Sequence, residues 1–218
     1  MSSSYVFFYL LGLGCNFKID KVTDEMKDLY SDISGIKDVR IKCNSKFMDT
    51  LSHIVKTCIR PRADDDPFIN EISDEIKQLL QKGKTVIVFG HSYGGAVAGH
   101  IAEQLNNIST KKSLHVRTFG SIYLPITDDV VNVDIINYIF ENDVSMRCNT
   151  SRSLYMNDEL VLLPDDMFDL DEWKLHNKYH YFTTELAKNM KQIINGKVKE
   201  KKVMTNVIRE LDSEMNDE

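Results

Sequence analysis

The chain has 218 residues, 42% of them hydrophobic and 28% charged, and its formal net charge is −6 at pH 7. This length suits one globular domain, and this composition excludes both wholesale disorder and a bundle of membrane-spanning helices. The acidic balance, with no lysine cluster before the short run at 197–202, excludes the charge pattern of a nucleic-acid-binding protein.

Residues 5–11 form a continuous apolar and aromatic run, which predicts a strand buried on both faces and followed by a glycine loop at 12–14. No Lys or Arg precedes this run, so a signal peptide is disfavoured. The four cysteines form no CxxC pair and no regular framework. We therefore predict free thiols and a cytoplasmic location.

Residues 20–33 place apolar side chains four apart and predict an amphipathic helix that closes near Gly35. Residues 38–43 alternate as a strand, and residues 44–66 suit a partly helical insertion. Asp66 and Pro67 then predict an N-cap and a first helical residue. The helix that follows should bury one face and end at Gly83, the face being formed by Phe68, Ile72, Ile76 and Leu80.

Residues 85–89 predict the next strand and residues 96–105 a helix with small residues on one side. Two further strands are expected at 114–119 and 134–140, and a last helix within 175–194, preceded by a loop that carries histidines. This alternation predicts an α/β fold with a mostly parallel sheet and helices on both faces. We expect one domain over residues 1–196 and a charged helical tail over 197–218.

The sequence Gly90-His91-Ser92-Tyr93-Gly94-Gly95 stands between a predicted strand and a predicted helix. A GxSxG motif in this context indicates a nucleophile elbow, where small neighbours let the chain pass close to a strained serine. The alternative is a glycine-rich turn without chemistry. A phosphate-binding loop ending at Lys84 is excluded, because Gln78 stands where its first glycine should be and the motif precedes the strand.

A serine nucleophile needs a base and an orienting acid, which should follow it along the chain in the order acid, then histidine. Asp143 is the best candidate for the acid, because it directly follows the strand at 134–140 and so lies at the carboxyl edge of the sheet. Asp128 and Asp129 precede that strand, and Glu141 is the reserve candidate. A plain polar turn at Asp143 is the alternative.

His176 and His180 are the candidate bases, and we favour His176 because a loop position ahead of the last helix can reach over the sheet edge. His180 remains the rival. The two histidines could instead share a zinc ion, but no acidic residue or cysteine stands at a neighbouring ligand spacing. We therefore expect neither a metal nor another cofactor.

An oxyanion hole should combine the backbone N–H of Tyr93 with a donor from the loop after the first strand, for which we choose Leu13. His91, inside the elbow, is expected to pack or to line the substrate pocket. Residues 44–66 or 146–173 could form a lid whose inner face is apolar at 160–163. Ordinary packing is the alternative for these segments.

Several segments resemble the class-three lipase branch of the α/β-hydrolases: residues 86–96, 117–121 and 141–144, together with His176 and the Tyr179 behind it. The resemblance implies an α/β-hydrolase-like fold and a serine hydrolase acting on carboxylic esters. Tyr93 stands where that family usually has leucine, Ile122 where proline is common, and the family's arginine-glycine oxyanion strand is absent. Residues 12–15 look more like the glycine loop of other α/β-hydrolases.

We therefore predict a lipase- or esterase-like enzyme that forms an acyl-enzyme on Ser92. The alternatives are a catalytically inactive binding or scaffold protein with this fold, and a serine acyltransferase or thioesterase. The expected partner is a small-molecule or lipid ester, with transient contact with a membrane surface, no nucleic acid, and a monomeric state.

Overall fold

The computed structural model describes residues 4–12, 19–44, 66–125, 130–140, 142–143, 160–163 and 179–216. Within these ranges it has six strands: β1 (Tyr5–Leu10), β2 (Asp38–Lys42), β3 (Thr85–His91), β4 (Leu114–Phe119), β5 (Asp134–Phe140) and β6 (Leu160–Leu163). It has five helices: α1 (Ile19–Ser34), α2 (Pro67–Gln81), α3 (Tyr93–Leu105), α4 (His180–Ile194) and α5 (Glu200–Asn216).

The strands form one sheet in the order β2-β1-β3-β4-β5-β6, and every neighbouring pair is parallel. The carboxyl ends of all six strands therefore lie at one edge of the sheet. We call this edge, where β3 meets Ser92, the carboxyl edge, and the opposite one the amino edge. The prediction of a mostly parallel sheet is confirmed.

Helices cover both faces of the sheet, as predicted. In β3, Val86 and Val88 belong to the apolar cluster that includes α2 and α3, whereas Ile87 and Phe89 belong to the cluster that includes α1, α4 and α5. All four side chains are fully buried. The continuous apolar run of β3 thus follows from burial on two faces, since alternate residues of a strand point to opposite sides.

Helix α2 begins as expected, because the carboxylate of Asp66 accepts hydrogen bonds from the backbone N–H groups of Phe68 and Ile69 at 2.9 and 3.0 Å. Its buried face is rotated from the predicted one. The apolar side chains that it buries are Ile69, Ile72, Ile76 and Leu79. Phe68 and Leu80 lie beside this face and are only partly buried.

Strand β6 was not predicted. Its residues, 160–163, stood within the second lid candidate, but they pair with β5 at the edge of the sheet. These four residues therefore belong to the sheet, which agrees with ordinary packing and not with a lid. The first lid candidate apart from its end residues, and the rest of the second, lie outside the described residues.

Helix α5 matches the predicted helix of the C-terminal segment, but it is packed against the fold. Val203, Met204, Val207 and Leu211 are each at most 8% exposed and join the cluster of α1 and α4. At its start, Glu200 binds the fully buried Arg117 of β4 at 2.6 and 2.7 Å. Burial alone would lower the pKa of Arg117, but the charges of Glu200 and Asp134 outweigh burial and raise it.

The prediction of free thiols is wrong for Cys43, which is disulfide-bonded. Its partner lies outside the described residues. Cysteine spacing could not reveal this bond, because a disulfide depends on which distant segments meet in space. The cysteines therefore give no support to the predicted cytoplasmic location, since disulfides persist in oxidising compartments. None of the described helices is long and apolar enough to cross a membrane.

Candidate active site

Ser92 occupies a strained turn between β3 and α3. Its φ of 56° and ψ of −120° make it the one non-glycine residue with positive φ in the described part of the chain. Such a conformation costs on the order of 1–3 kcal/mol and persists only when the surroundings impose it. Here the N–H of Ser92 donates to the carbonyl of Phe119 at 2.9 Å, and its own carbonyl accepts from Gly95 at 3.0 Å.

The glycines of the motif are required by close backbone contacts. A Cβ on Gly90 would lie 2.3 Å from the carbonyl oxygen of Gly94, and a Cβ on Gly94 would lie 2.0 Å from that of Leu10 in β1. A Cβ on Gly95 would lie 2.8 Å from the Cβ of Ser121. The three glycines therefore let the elbow press against β1 and the end of β4, which explains the GxSxGG pattern.

The loop after β1 reaches the serine. A Cβ added to Gly12 would lie 3.0 Å from the Cβ of Ser92 and 3.2 Å from the carbonyl oxygen of His91. Gly12 thus stands directly beside the candidate nucleophile. Leu13, the predicted second oxyanion donor, lies outside the described residues. Gly12, which precedes it, lies beside Ser92, as a loop that supplies this donor requires.

Tyr93 begins α3, so its backbone N–H belongs to the first turn of a helix, where the helix dipole favours negative charge. Its side chain is 1% exposed and belongs to the apolar cluster with α2. The Tyr93 hydroxyl accepts a hydrogen bond from the Asn44 amide at 3.3 Å. This contact, which has no signal in the sequence, joins the elbow to the chain just beyond β2.

Asp143 is 2% exposed and follows β5, two strands across the sheet from Ser92. Its backbone N–H donates to the carbonyl of Phe140 at 3.1 Å, which turns the chain at the carboxyl edge. The Tyr179 hydroxyl is hydrogen-bonded to the side chain of Asp143 and accepts from the N–H of Phe140 at 2.8 Å. Tyr179 consequently holds both the strand end and the carboxyl group that follows it.

Burial and the negative charge of Asp143 both raise the pKa of Tyr179 well above its usual range, and the hydrogen bond from Phe140 lowers it by less. The Tyr179 hydroxyl therefore keeps its proton at neutral pH. It stays a donor to Asp143. The sequence offered one signal for this role, the position of Tyr179 three residues after His176.

The ring of Tyr179 also connects Asp143 to the elbow. It lies 5.7 Å from the ring of His91, the residue before Ser92, and 4.7 Å from that of Phe140, measured between ring centroids. His91 is half-buried and packs between Tyr179 and the Gly12 loop. The structure thus brings Ser92, His91 and Asp143 to one region of the carboxyl edge, with Tyr179 among them.

Of the two candidate bases, only His180 lies in the described part of the chain. It is the first residue of α4, its side chain is exposed, and its ring stacks 3.9 Å from that of Tyr181. His176, three residues before the buried Tyr179, lies outside the described residues. The other candidate acids also lie outside the described residues: Glu141, Asp128 and Asp129.

A buried hydroxyl pair fixes the first turn of α4. The hydroxyl of Tyr30, in α1, donates to that of Thr183 at 3.1 Å, and Thr183 donates to the carbonyl of His180 at 3.0 Å. Burial raises the pKa values of Tyr30 and of the neighbouring Tyr9. These hydroxyls therefore stay neutral, and they hold the start of α4 against β1 and α1.

Two other histidines lie away from this region. His115 is buried near the amino end of β4 and contacts Asp134 at 2.6 Å, and His100 is 2% exposed and stacks on Tyr123. The described residues contain no group of three His, Cys, Asp or Glu side chains that could hold a metal ion. The zinc alternative involved His176, so it falls outside this part of the chain.

The arrangement can support nucleophilic chemistry. A half-buried serine stands in a strained turn at a helix N-terminus, with a close-packed glycine loop on one side and a buried, hydrogen-bonded aspartate across the same edge. Each of these features supplies one part that acyl transfer to a serine needs.

The model of the family described as lipase (class 3) matches residues 15–129, more than half of the chain. The matched stretch contains the elbow and stops before Asp143. Among curated proteins, none matches the chain. The chain therefore belongs to the class 3 lipase family, within the α/β-hydrolase superfamily.

Proposed function

We propose that this protein hydrolyses carboxylic esters through an acyl-enzyme formed on Ser92. The observation that carries the proposal is the backbone of Ser92, whose positive φ places a serine side chain at the tip of a turn built by close glycine contacts. Strain of this kind is maintained at functional sites and has no packing benefit of its own. Membership of the class 3 lipase family supports the same class of chemistry.

In the proposed reaction, the Ser92 hydroxyl oxygen attacks the ester carbonyl and passes its proton to a histidine. The tetrahedral intermediate collapses, the alcohol leaves with that proton, and Ser92 is left acylated. A water molecule, deprotonated by the same histidine, then attacks the acyl group. The carboxylic acid departs and the serine recovers its proton.

We assign the base to His176. Tyr179 turns inward to Asp143, whereas the next residue, His180, turns its side chain to solvent and stacks on Tyr181. An exposed imidazole on the first turn of α4 is poorly oriented for a buried carboxylate. His176 stands only three residues before Tyr179, which is hydrogen-bonded to Asp143. Its position in the sequence is therefore close to the residue that contacts the acid.

The oxyanion of the intermediate would be stabilised by the backbone N–H of Tyr93 and by a second N–H from the loop that begins at Gly12. Support comes from the contact between Gly12 and Ser92, because a donor must lie about 3 Å from the oxyanion. We keep Leu13 as the second donor. His91, packed on Tyr179, would border the substrate.

A fluorophosphonate probe tests this proposal, because it phosphonylates only an activated serine. We expect the probe to add to Ser92, identified by peptide mass spectrometry, and the protein to release p-nitrophenol from p-nitrophenyl esters. A panel of rising acyl chain length then separates esterase from lipase. An unlabelled protein without esterase activity would point to a scaffold, and acyl transfer to added alcohols that exceeds hydrolysis would point to an acyltransferase.

Replacing Tyr179 by Phe should lower kcat by about 10- to 100-fold and leave KM nearly unchanged. The change removes a hydrogen bond to a charged group, worth about 1.5–3 kcal/mol, and so loosens the carboxylate that orients the base. Steady-state kinetics on a p-nitrophenyl ester measure the effect. Tyr5→Phe is the matched control, since the Tyr5 hydroxyl accepts from Asn195 at the amino edge. Equal kcat values for both variants would contradict the role of Tyr179.

A further inference from the structure

The amino edge of the sheet, opposite Ser92, carries a concentration of lysines. Lys84 precedes β3 directly, Lys111 and Lys112 lie in the turn before β4, and others lie at the end of α2 and between α4 and α5. All but Lys84 are exposed. We call this group the lysine edge: Lys82, Lys84, Lys111, Lys112, Lys197 and Lys199.

Contacts on either side of the turn between α4 and α5 place this turn at the amino edge. The Asn195 amide donates to the hydroxyl of Tyr5, the first residue of β1, at 3.1 Å. Lys191 donates to the carbonyl of Gly35, just ahead of β2, at 2.6 Å. At the other end of the turn, Glu200 binds Arg117. Lys197 and Lys199 consequently stand beside the starts of the strands.

The described carboxylates near this edge are paired with arginines. Asp38 pairs with Arg40 at 2.9 Å, and Asp134 and Glu200 both pair with the buried Arg117. Burial would raise the pKa of Asp134, but Arg117 and His115 outweigh it and lower the pKa. Among the described residues, none of the six lysine ammonium groups forms an ion pair with a carboxylate. Asp134 and Glu200 together exceed the charge of Arg117 by one, but the six lysines outnumber this excess. The described residues of this edge therefore carry a net positive charge, although the net charge of the chain is −6.

Apolar side chains accompany the lysines. Ile108 is 48% exposed and Val131 is 52% exposed, two of the four large hydrophobic residues exposed in the described part of the chain. Ile108 lies in the same connection as Lys111 and Lys112. The connection that holds Val131 is joined to it by a hydrogen bond from the Asn132 N–H to the side chain of Asn106, 2.8 Å long.

We propose that the lysine edge, with Ile108 and Val131, docks on the surface of an anionic lipid bilayer. Lysines near such a surface are attracted by its negative potential, and small apolar side chains between them can enter the headgroup region. Nucleic acid fits less well, because groove and single-strand recognition rely on arginine forks and stacked aromatic rings, whereas these cations are lysines.

Docking at this edge determines which esters have access to Ser92. The strands are six or seven residues long, so Ser92 lies about 20 Å from the amino edge and faces away from the docked bilayer. This step rests on the proposed function. The ester would then come from the aqueous side, as a water-soluble ester or an acyl group carried by another protein, and not as a lipid of the docked leaflet.

Co-sedimentation with vesicles of phosphatidylcholine, with and without phosphatidylserine, tests the docking. The full-length protein is expected to bind only the vesicles that contain phosphatidylserine, and added salt should weaken binding. Replacing Lys111, Lys112 and Lys197 by Gln should lower the affinity by on the order of 100-fold, since each lysine contributes about fivefold.

A variant with the same loss of charge on helices α1, α4 and α5 is the control: Lys27→Gln, Lys188→Gln and Arg209→Gln. It should bind these vesicles nearly as well as the unchanged protein, and both variants should keep the same melting temperature. Equal loss of binding in the two variants would overturn the proposal, and so would binding that does not depend on phosphatidylserine. Retained binding by the lysine-edge variant would overturn it as well.

The outcome is independent of the catalytic proposal. Ser92→Ala is expected to bind the vesicles normally, and the lysine-edge variant is expected to hydrolyse a soluble p-nitrophenyl ester at the unchanged rate. If fluorophosphonate labelling fails and vesicle binding persists, only the catalytic proposal falls. If labelling succeeds and vesicle binding is absent, only the docking proposal falls.

Discussion

Ser92→Ala is expected to lower kcat on a p-nitrophenyl ester by on the order of 10⁶ and to abolish fluorophosphonate labelling. The loss should be this large because the hydroxyl is the attacking atom, and removing the nucleophile of a serine hydrolase costs about as much as removing its whole catalytic machinery. What remains would come from substrate binding and the oxyanion donors. Folding should be little affected, since serine and alanine both carry a Cβ and so meet the same backbone strain at the φ of 56°.

The control is Ser113→Ala, a serine in the turn before β4 whose hydroxyl accepts from the N–H of Thr110 at 2.9 Å. It lies at the amino edge, so kcat and labelling should stay at the level of the unchanged protein. If Ser92→Ala kept half of the activity, the nucleophile would have to be another residue, and the strain at Ser92 would need a different explanation.

The elements that sequence analysis predicted well are those whose signal is local. The five β-formers of β3 are buried on both faces. The alternation of strands and helices correctly predicted the parallel topology. The elbow is local too, because Gly90, Gly94 and Gly95 are spaced by the turn itself. A GxSxGG sequence between a strand and a helix therefore predicts its backbone closely.

Features that depend on long-range contacts were missed. Residues 160–163 resemble any short apolar run, and only pairing with β5 makes them a strand. Helix α5 has the composition of a solvated helix, yet its N-terminal Glu200 binds an arginine 83 positions earlier in the chain. The disulfide at Cys43 belongs to the same class. In each case the partner is remote, so periodicity carries no information about it.

The candidate acid falls between these two cases. The position of Asp143 after β5 was predicted from topology, because strand ends in a parallel sheet share one edge. The surroundings of the Asp143 side chain were not predicted. The hydrogen bond with Tyr179 joins residues 36 positions apart, and it makes Asp143 a buried, oriented group.

Asp143→Asn is expected to lower kcat by about 10⁴ while the protein folds normally. A carboxylate holds the histidine in the tautomer that accepts the serine proton and stabilises the imidazolium that forms, whereas an amide can favour the wrong tautomer. Asparagine has the same shape, and its amide oxygen can still accept a hydrogen bond from Tyr179. Steady-state kinetics and thermal unfolding would separate loss of catalysis from loss of structure.

Asp38→Asn supplies the comparison, since it makes the same chemical change to a carboxylate that pairs with Arg40 at the amino edge. It should leave kcat unchanged. If instead Asp143→Asn and Asp38→Asn had equal activity, the acid would have to be sought outside the described residues, with Glu141 first. The buried hydrogen bond between Asp143 and Tyr179 would then serve only to close β5, because an orienting acid cannot lose its charge without a penalty in kcat.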